Sequence, residues 1–311
     1  MSFSSEVKEE LGKRLDTARH CQIAEFAAIM AFCGKMRSDS GEEMQIEVMT
    51  ENEVVLQKFI LLAESIFEME EHDFVIEHEG KKNSLIHVYI KEPVYVTKIL
   101  MTLKWCDEQF TQIEPVFVHP ILVQKECCKK AFIRGAYLAA GSISDPNKFY
   151  HYEIVCEYEE EAVQLQELLL YFELDAKVIQ RKRNYIVYLK EGNNITDVLN
   201  LMGAVVSQMN LYNIMILKGM RNDVNRKVNC ETANLNKTAV KQIRDIEYLR
   251  DTVGLESLSD GLRQVAYVRL ENPDMNLKDI GERLNPTVGK SGVNHRLRKI
   301  SEMAEQLRGE A

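Results

Sequence analysis

The chain has 311 residues, 45% hydrophobic and 28% charged, with a formal net charge of −9 at pH 7. That length allows two or three domains with proper cores, at the composition of a soluble globular protein. No apolar run approaches the roughly 20 residues that span a bilayer, and M-S-F-S-S-E reads as no signal peptide, so a cytoplasmic protein without a membrane partner is expected. Seven cysteines, an odd number lacking C-x-x-C spacing, fit reduced thiols better than a disulfide framework. The adjacent Cys127 and Cys128 are expected as buried thiols, with a redox pair as the alternative. The seven histidines show no metal-ligand spacing and the chain has no Gly-rich phosphate loop, so neither a structural zinc nor a cofactor is expected.

Charge is unevenly placed. Residues 1–124 hold 12 Lys/Arg against 22 Asp/Glu, 125–216 hold 10 against 12, and 217–311 hold 17 against 14. An acidic front is a poor platform for a phosphate backbone, so any nucleic-acid contact belongs to the carboxyl end.

In chain order, Ser4 or Ser5 is expected to cap a helix to residue 19, and a second helix covers 21–35 and ends at Gly34. A strand (45–50), a helix (53–67), two strands (74–79 and 85–91) joined by G-K-K-N, and a helix (94–105) follow. From residue 125 the order repeats: a helix to 140 ending at Gly141, a strand (152–158), a helix (160–172), two strands (177–180 and 185–190) around R-K-R-N, and a helix (195–201). Two copies of α-β-α-β-β-α, offset by 107 residues, indicate an internal duplication. Small residues on both opening helices, among them Ala24, Ala27, Ala31, Gly135 and Ala139, predict close packing of the two at a pseudo-twofold axis. The acidic run 68–73 is expected as a solvated face, with docking of a basic partner as the alternative.

Residues 219–232 are polar and basic (Arg221, Arg226, Lys227) and are expected as a linker or loop, with a phosphate-contacting arm as the alternative. A helical region over 233–311 follows, with helices at 234–253 and 260–271. Asn276 can cap a helix over 277–284, which Asn285-Pro286 stops. In V-G-K-S-G-V-N-H-R-L-R-K-I (288–300), Val293, Leu297 and Ile300 line one side of a helix, while Ser291, His295 and Arg298 point away, flanked by Asn294 and Lys299. Two short helices joined by a turn, the second basic, form a helix-turn-helix pattern. Residues 276–300 carry six Lys/Arg against two acids, a positive island in an acidic chain. Ser291, Asn294, His295 and Arg298 suit base edges, and Lys290, Arg296 and Lys299 suit phosphates.

The segment I-R-G-A-Y-L-A-A-G ending at Gly141, followed by S-I-S-D-P, resembles the motif helix of a LAGLIDADG homing endonuclease. The run K-S-G-V-N-H-R-L-R-K over 290–299 resembles the helix-turn-helix of the WhiA family. Their combination at this length is similar to that family over nearly the whole chain. The resemblance implies an α+β fold: a duplicated LAGLIDADG homing-endonuclease-like scaffold (1–124 and 125–218), then an all-α head. It further implies a transcription regulator of cell division, chromosome segregation and sporulation that binds double-stranded DNA at the nucleoid, with room for a partner regulator. A LAGLIDADG nuclease carries an acid just before the final glycine of each motif. Here Cys33 and Ala140 stand there, so the metal-binding carboxylates are expected to be lost and the chain to be no enzyme. Asp145 is a poor substitute. An endonuclease with other ligands, or a sensor scaffold that needs a partner to bind DNA, are the alternatives.

Overall fold

The computed structural model describes residues 2–37, 44–80, 85–106 and 117–309, with the backbone alone for 231–236. It divides into two compact units, Met1–Leu217 and Lys218–Ala311.

The first unit holds two similar halves. One comprises α1 (Phe3–Gly12), α2 (Arg19–Cys33), β1 (Gly34–Arg37), β2 (Gln45–Thr50), α3 (Glu53–Phe67), β3 (Val75–Glu79), β4 (Leu85–Ile90) and α4 (Pro93–Leu103). The other comprises α5 (Glu126–Ala140), β5 (Gly141–Ile143), β6 (Tyr152–Cys156), α6 (Glu159–Leu170), β7 (Lys177–Arg181), β8 (Asn184–Leu189) and α7 (Gly192–Met202). Each half builds one antiparallel sheet, in the orders β1-β2-β4-β3 and β5-β6-β8-β7. Equivalent pairings recur: Gly34 lies opposite Val48 in one sheet and Gly141 opposite Ile154 in the other. The order of the sequence-predicted elements is as observed, with one strand added per half. β1 and β5 start at the glycine that ends each motif helix, and their shortness hid them from a periodicity argument.

The two helices end at these glycines as expected, and both are extended, Gly34 at φ −89°, ψ 144° and Gly141 at φ −90°, ψ 155°. Crowding is what requires them. A Cβ on Gly34 would lie 2.5 Å from the Met30 carbonyl oxygen, and one on Gly141 would lie 2.3 Å from Tyr137 Cδ2. The first helix ends early, at Gly12, and its cap is Ser2, whose Oγ accepts from Ser5 N at 3.1 Å. Leaving the helix there lets Asp16 reach Arg134. Residues 81–83 of the predicted G-K-K-N turn lie outside the described residues.

The motif helices α2 and α5 pack against each other. A Cβ on Gly135 would lie 2.5 Å from the Glu25 carbonyl oxygen and 2.8 Å from Ala28 Cβ, so the backbones approach as only glycine allows. Across this seam Arg134 donates Nε to Glu25 Oε1 (2.9 Å) and Nη2 to Glu25 Oε2 (2.8 Å). Lys58 Nζ lies 3.1 Å from Glu25 Oε1, and Arg134 Nη2 reaches Asp16 Oδ2 at 2.5 Å. Glu25, Lys58 and Arg134 are all buried. Two cations face two anions, which is how a core tolerates charge.

Alternation sets the sheet faces. In the first sheet Ile46, Val48, Ile86 and Val88 enter the core, while Glu47 and His87 share the opposite face. There His87 Nδ1 lies 2.8 Å from Glu47 Oε1, and Arg37 Nε lies 2.5 Å from Glu47 Oε2. Burial works to raise the Glu47 pKa, but bonds from His87 and Tyr89 and the charge of Arg37 hold it below its usual value. With exposed Glu77 and Glu79 alongside, that face is predominantly acidic.

Helix α8 (Val205–Thr252) is longer than predicted, and residues 219–232, expected as a linker or loop, are helical throughout. Polarity marked that stretch as solvent-facing, and solvent-facing helices are polar too. In the first unit α8 is started by Glu10, whose carboxylate accepts from Val206 N (2.8 Å) and Ser207 N (2.9 Å). In the second unit Ile246 and Leu249 join the core of the helices that follow.

Candidate nucleic-acid interface

In the second unit α9 (Asp260–Glu271), α10 (Leu277–Glu282) and α11 (Lys290–Gly309) pack around Leu262, Val265, Ile280, Val293, Leu297 and Ile300. Asn276 caps α10 as expected: its Oδ1 accepts from Lys278 N (3.0 Å) and Asp279 N (3.1 Å). The turn from α10 to α11 closes on Gly281. Val288 N donates to the Gly281 carbonyl at 3.0 Å, and a Cβ on Gly281 would sit 1.9 Å from the Val288 carbonyl oxygen. No other residue type fits there without opening the turn.

Val293, Leu297 and Ile300 are at most 1% exposed, as their spacing predicts. Burying each stabilises the packed helix by roughly 1.5–3 kcal/mol relative to solvent. The opposite face carries Lys290, Ser291, Asn294, His295, Arg298 and Lys299, all exposed. Arg298 Nε lies 3.2 Å from Glu302 Oε1, an exposed pair that opens at little cost. Arg296 sits differently. It is half-buried and its Nη1 donates to the Gly261 carbonyl at 3.3 Å, so it ties α11 to the start of α9 instead of facing solvent with the other six.

Helix α11 starts two residues later than the predicted segment and runs nine residues past it. Its second part is fixed by Ala304 in the core and by Arg308, which donates to the buried Asp245 Oδ1 at 2.7 Å and stacks over the Tyr248 ring. Beside that contact Lys237, Lys241, Arg244 and Arg308, with Asp245, line a cavity of about 650 Å³. Sequence reasoning missed this basic hollow. Its signal was present, since Lys237, Lys241 and Arg244 recur at i, i+4 and i+7 on one helix.

At the nuclease motif positions, Cys33 ends α2 and Ala140 ends α5. Ala140 has no ligand atom. Burial pushes the Cys33 thiol up to about 12, with the nearby Lys8 cation only partly opposing it, so the thiol is neutral at pH 7. A neutral soft thiol beside an ammonium does not fit a hard divalent ion. Asp145 is exposed, and its Oδ1 accepts from Asn147 N (3.0 Å) and Asn147 Nδ2 (3.1 Å) within its own turn. At the opposite, N-terminal ends of the same two helices, His20, Cys21, Cys127 and Cys128 converge, with Cys127 exposed where a buried thiol is expected.

Two family models match, the WhiA LAGLIDADG-like domain over residues 129–221 and the WhiA C-terminal HTH domain over 224–304. The "Probable cell division protein WhiA" of Lachnospira eligens is 64% identical over 311 residues, covering 99% of this chain and 98% of the relative. The chain belongs to the WhiA family. Its relative in Lachnoclostridium phytofermentans, under the same name, is 46% identical over 312 residues, covering 99% of this chain and all (100%) of the relative. The crystal structure of full-length DUF199/WhiA from Thermotoga maritima superposes with a TM-score of 0.55 at 27% identity, over 98% of this chain and 99% of that one. The fold expected from the WhiA resemblance is therefore the observed one: α+β, a LAGLIDADG-like scaffold followed by a helix-turn-helix head.

Proposed function

We propose that this WhiA-family chain is a sequence-specific DNA-binding regulator that performs no chemistry on DNA and acts in cell division, as the names of its relatives state. The observation that carries this reading is the divided face of α11, with three side chains locked in the core and six polar or basic ones exposed on the other side. Laid in a major groove, Asn294 reads adenine and Arg298 guanine, each through two bonds, with Ser291 and His295 beside them. Lys290 and Lys299 meet phosphates, and Arg296 holds the helix at its working angle. Residues 1–124 and 125–218 then serve as scaffold, 219–232 joins them to the head, and 233–311 reads DNA. Control of transcription, a part in sporulation and a place at the nucleoid are what the resemblance to the WhiA family implies for it.

The non-enzymatic part rests on Cys33 and Ala140, which together offer no carboxylate for a divalent metal. The test is selection of the full chain against a random DNA pool, with a salt series. Enrichment of one motif, lost in Asn294→Ala and Arg298→Ala, supports the reading. Equal affinity of both variants and the parent for the enriched DNA would remove α11 from the groove.

A further inference from the structure

His20 and Cys21 are the second and third residues of α2, and Cys127 and Cys128 are the second and third of α5. The two pairs are separated by the same 107 residues that separate Gly34 from Gly141. Each copy of the duplicated half therefore brings one pair to the helix seam, at the end away from Cys33 and Ala140.

One ligand atom from each of the four lies within 4.8 Å of all the others. His20 Nδ1 stands 3.3 Å from Cys21 Sγ, 3.3 Å from Cys128 Sγ and 3.9 Å from Cys127 Sγ. Around tetrahedral zinc, with Zn–S of ~2.3 Å and Zn–N of ~2.0 Å, ligand atoms stand roughly 3.5–3.8 Å apart. The group is at that spacing apart from side-chain adjustments of about an ångström. We infer that His20, Cys21, Cys127 and Cys128 form a Cys3His site for one borderline-soft divalent cation of the zinc class.

Several features suit that ion. Three sulfurs and an imidazole select zinc over magnesium or calcium, which take oxygen ligands. Cys21, Cys127 and Cys128 lie in the first turns of α2 and α5, and a divalent ion bound there would take their sulfurs as thiolates, with release of the protons. Ala24 and Ala131 pack with Cys21 and Cys128 as an apolar floor. His20 and Cys127 are exposed and provide the way in. All four positions are filled by protein, so the ion is structural: it ties the two halves together and leaves no open position for a substrate. Ligand spacing along the sequence could not show the site, because each half supplies only an adjacent pair.

The test uses the full chain, purified without chelator. Elemental analysis is expected to find one zinc per chain. Cobalt(II) added to the stripped protein is expected to give the visible bands of a tetrahedral site together with thiolate-to-cobalt charge transfer. His20→Ala and Cys127→Ser, at exposed positions that leave the core alone, are expected to weaken cobalt binding by more than the roughly 10–100-fold lost with a residue that only hydrogen-bonds a metal ligand. Cys230→Ser, outside the cluster, is expected to bind as the parent does. Zinc is expected to raise the Tm of the parent and not of His20→Ala. A folded parent that takes up neither ion would overturn the inference. So would cobalt binding unchanged in both ligand variants, or a purified chain in which Cys21 and Cys128 are disulfide-bonded and hold no metal.

Discussion

Arg134 offers its guanidinium to a carboxylate on the facing helix, a carboxylate in the preceding loop and the Met202 carbonyl, all from a side chain that is 2% exposed. Removing one partner strands charge in the core, so Glu25→Gln, which leaves Lys58 without its paired anion and Arg134 with Asp16 alone, is expected to cost about 3–5 kcal/mol in chemical denaturation. Asp16 adds a pH dependence. Burial works to raise its pKa, but the hydrogen bond and charge of Arg134 prevail and hold it below its usual value. A carboxylate depressed in the folded state stabilises above its unfolded pKa of about 3.9, and that contribution fades as pH falls through the lower folded value. Asp16→Asn should therefore be less stable than the parent at neutral pH, and the gap should close in acid denaturation below about pH 4. On α11, Arg298→Ala is expected to cost roughly 1–3 kcal/mol on the selected sequence, whereas Lys299→Ala should weaken all sequences alike. Competition titrations against selected and scrambled duplexes separate the two.

The helix-turn-helix depends on its turn. Gly281→Ala places a methyl group against the Val288 carbonyl, and overpacking of this kind is expected to cost about 1–3 kcal/mol and to abolish sequence-specific binding. Calorimetry of the full chain alongside the DNA titration checks both; an unchanged Tm would contradict the packing described. Elements of this kind were legible in the sequence to differing degrees. The cap of α10, the apolar stripe of α11 and the repeat of the two halves rest on local chemistry and periodicity, and each stands where expected. Strands β1 and β5 were not legible, because three or four residues directly after a helix carry too short a pattern. Polarity cannot separate a solvated helix from a loop, which is why 219–232 read as irregular. The anchored Arg296 was hidden as well: its partner is a backbone carbonyl on α9, 35 residues away, and no residue type announces it.

On the scale of the whole chain, the acidic first half and the basic last third divide the electrostatic labour. The affinity for DNA should fall with salt, and Lys290→Ala or Lys299→Ala should each reduce the slope of log K against log salt by about one. Supercoiled plasmid incubated with the full chain and magnesium should stay intact; nicking that a chelator abolishes would restore a nuclease reading. The seam between α2 and α5 has a consequence of a historical kind. Under the 107-residue offset Gly135 corresponds to Ala28, Arg134 to Ala27 and Glu25 to Phe132. The partners across the seam are thus unlike, with glycine against alanine and a cation against an anion. Two first halves would set alanine on alanine and bury two glutamates with no Arg134 between them, while two second halves would bury two arginines without Glu25. Descent from a symmetric pair has become a one-way step, since each half now specifies the other and neither can return to pairing with itself.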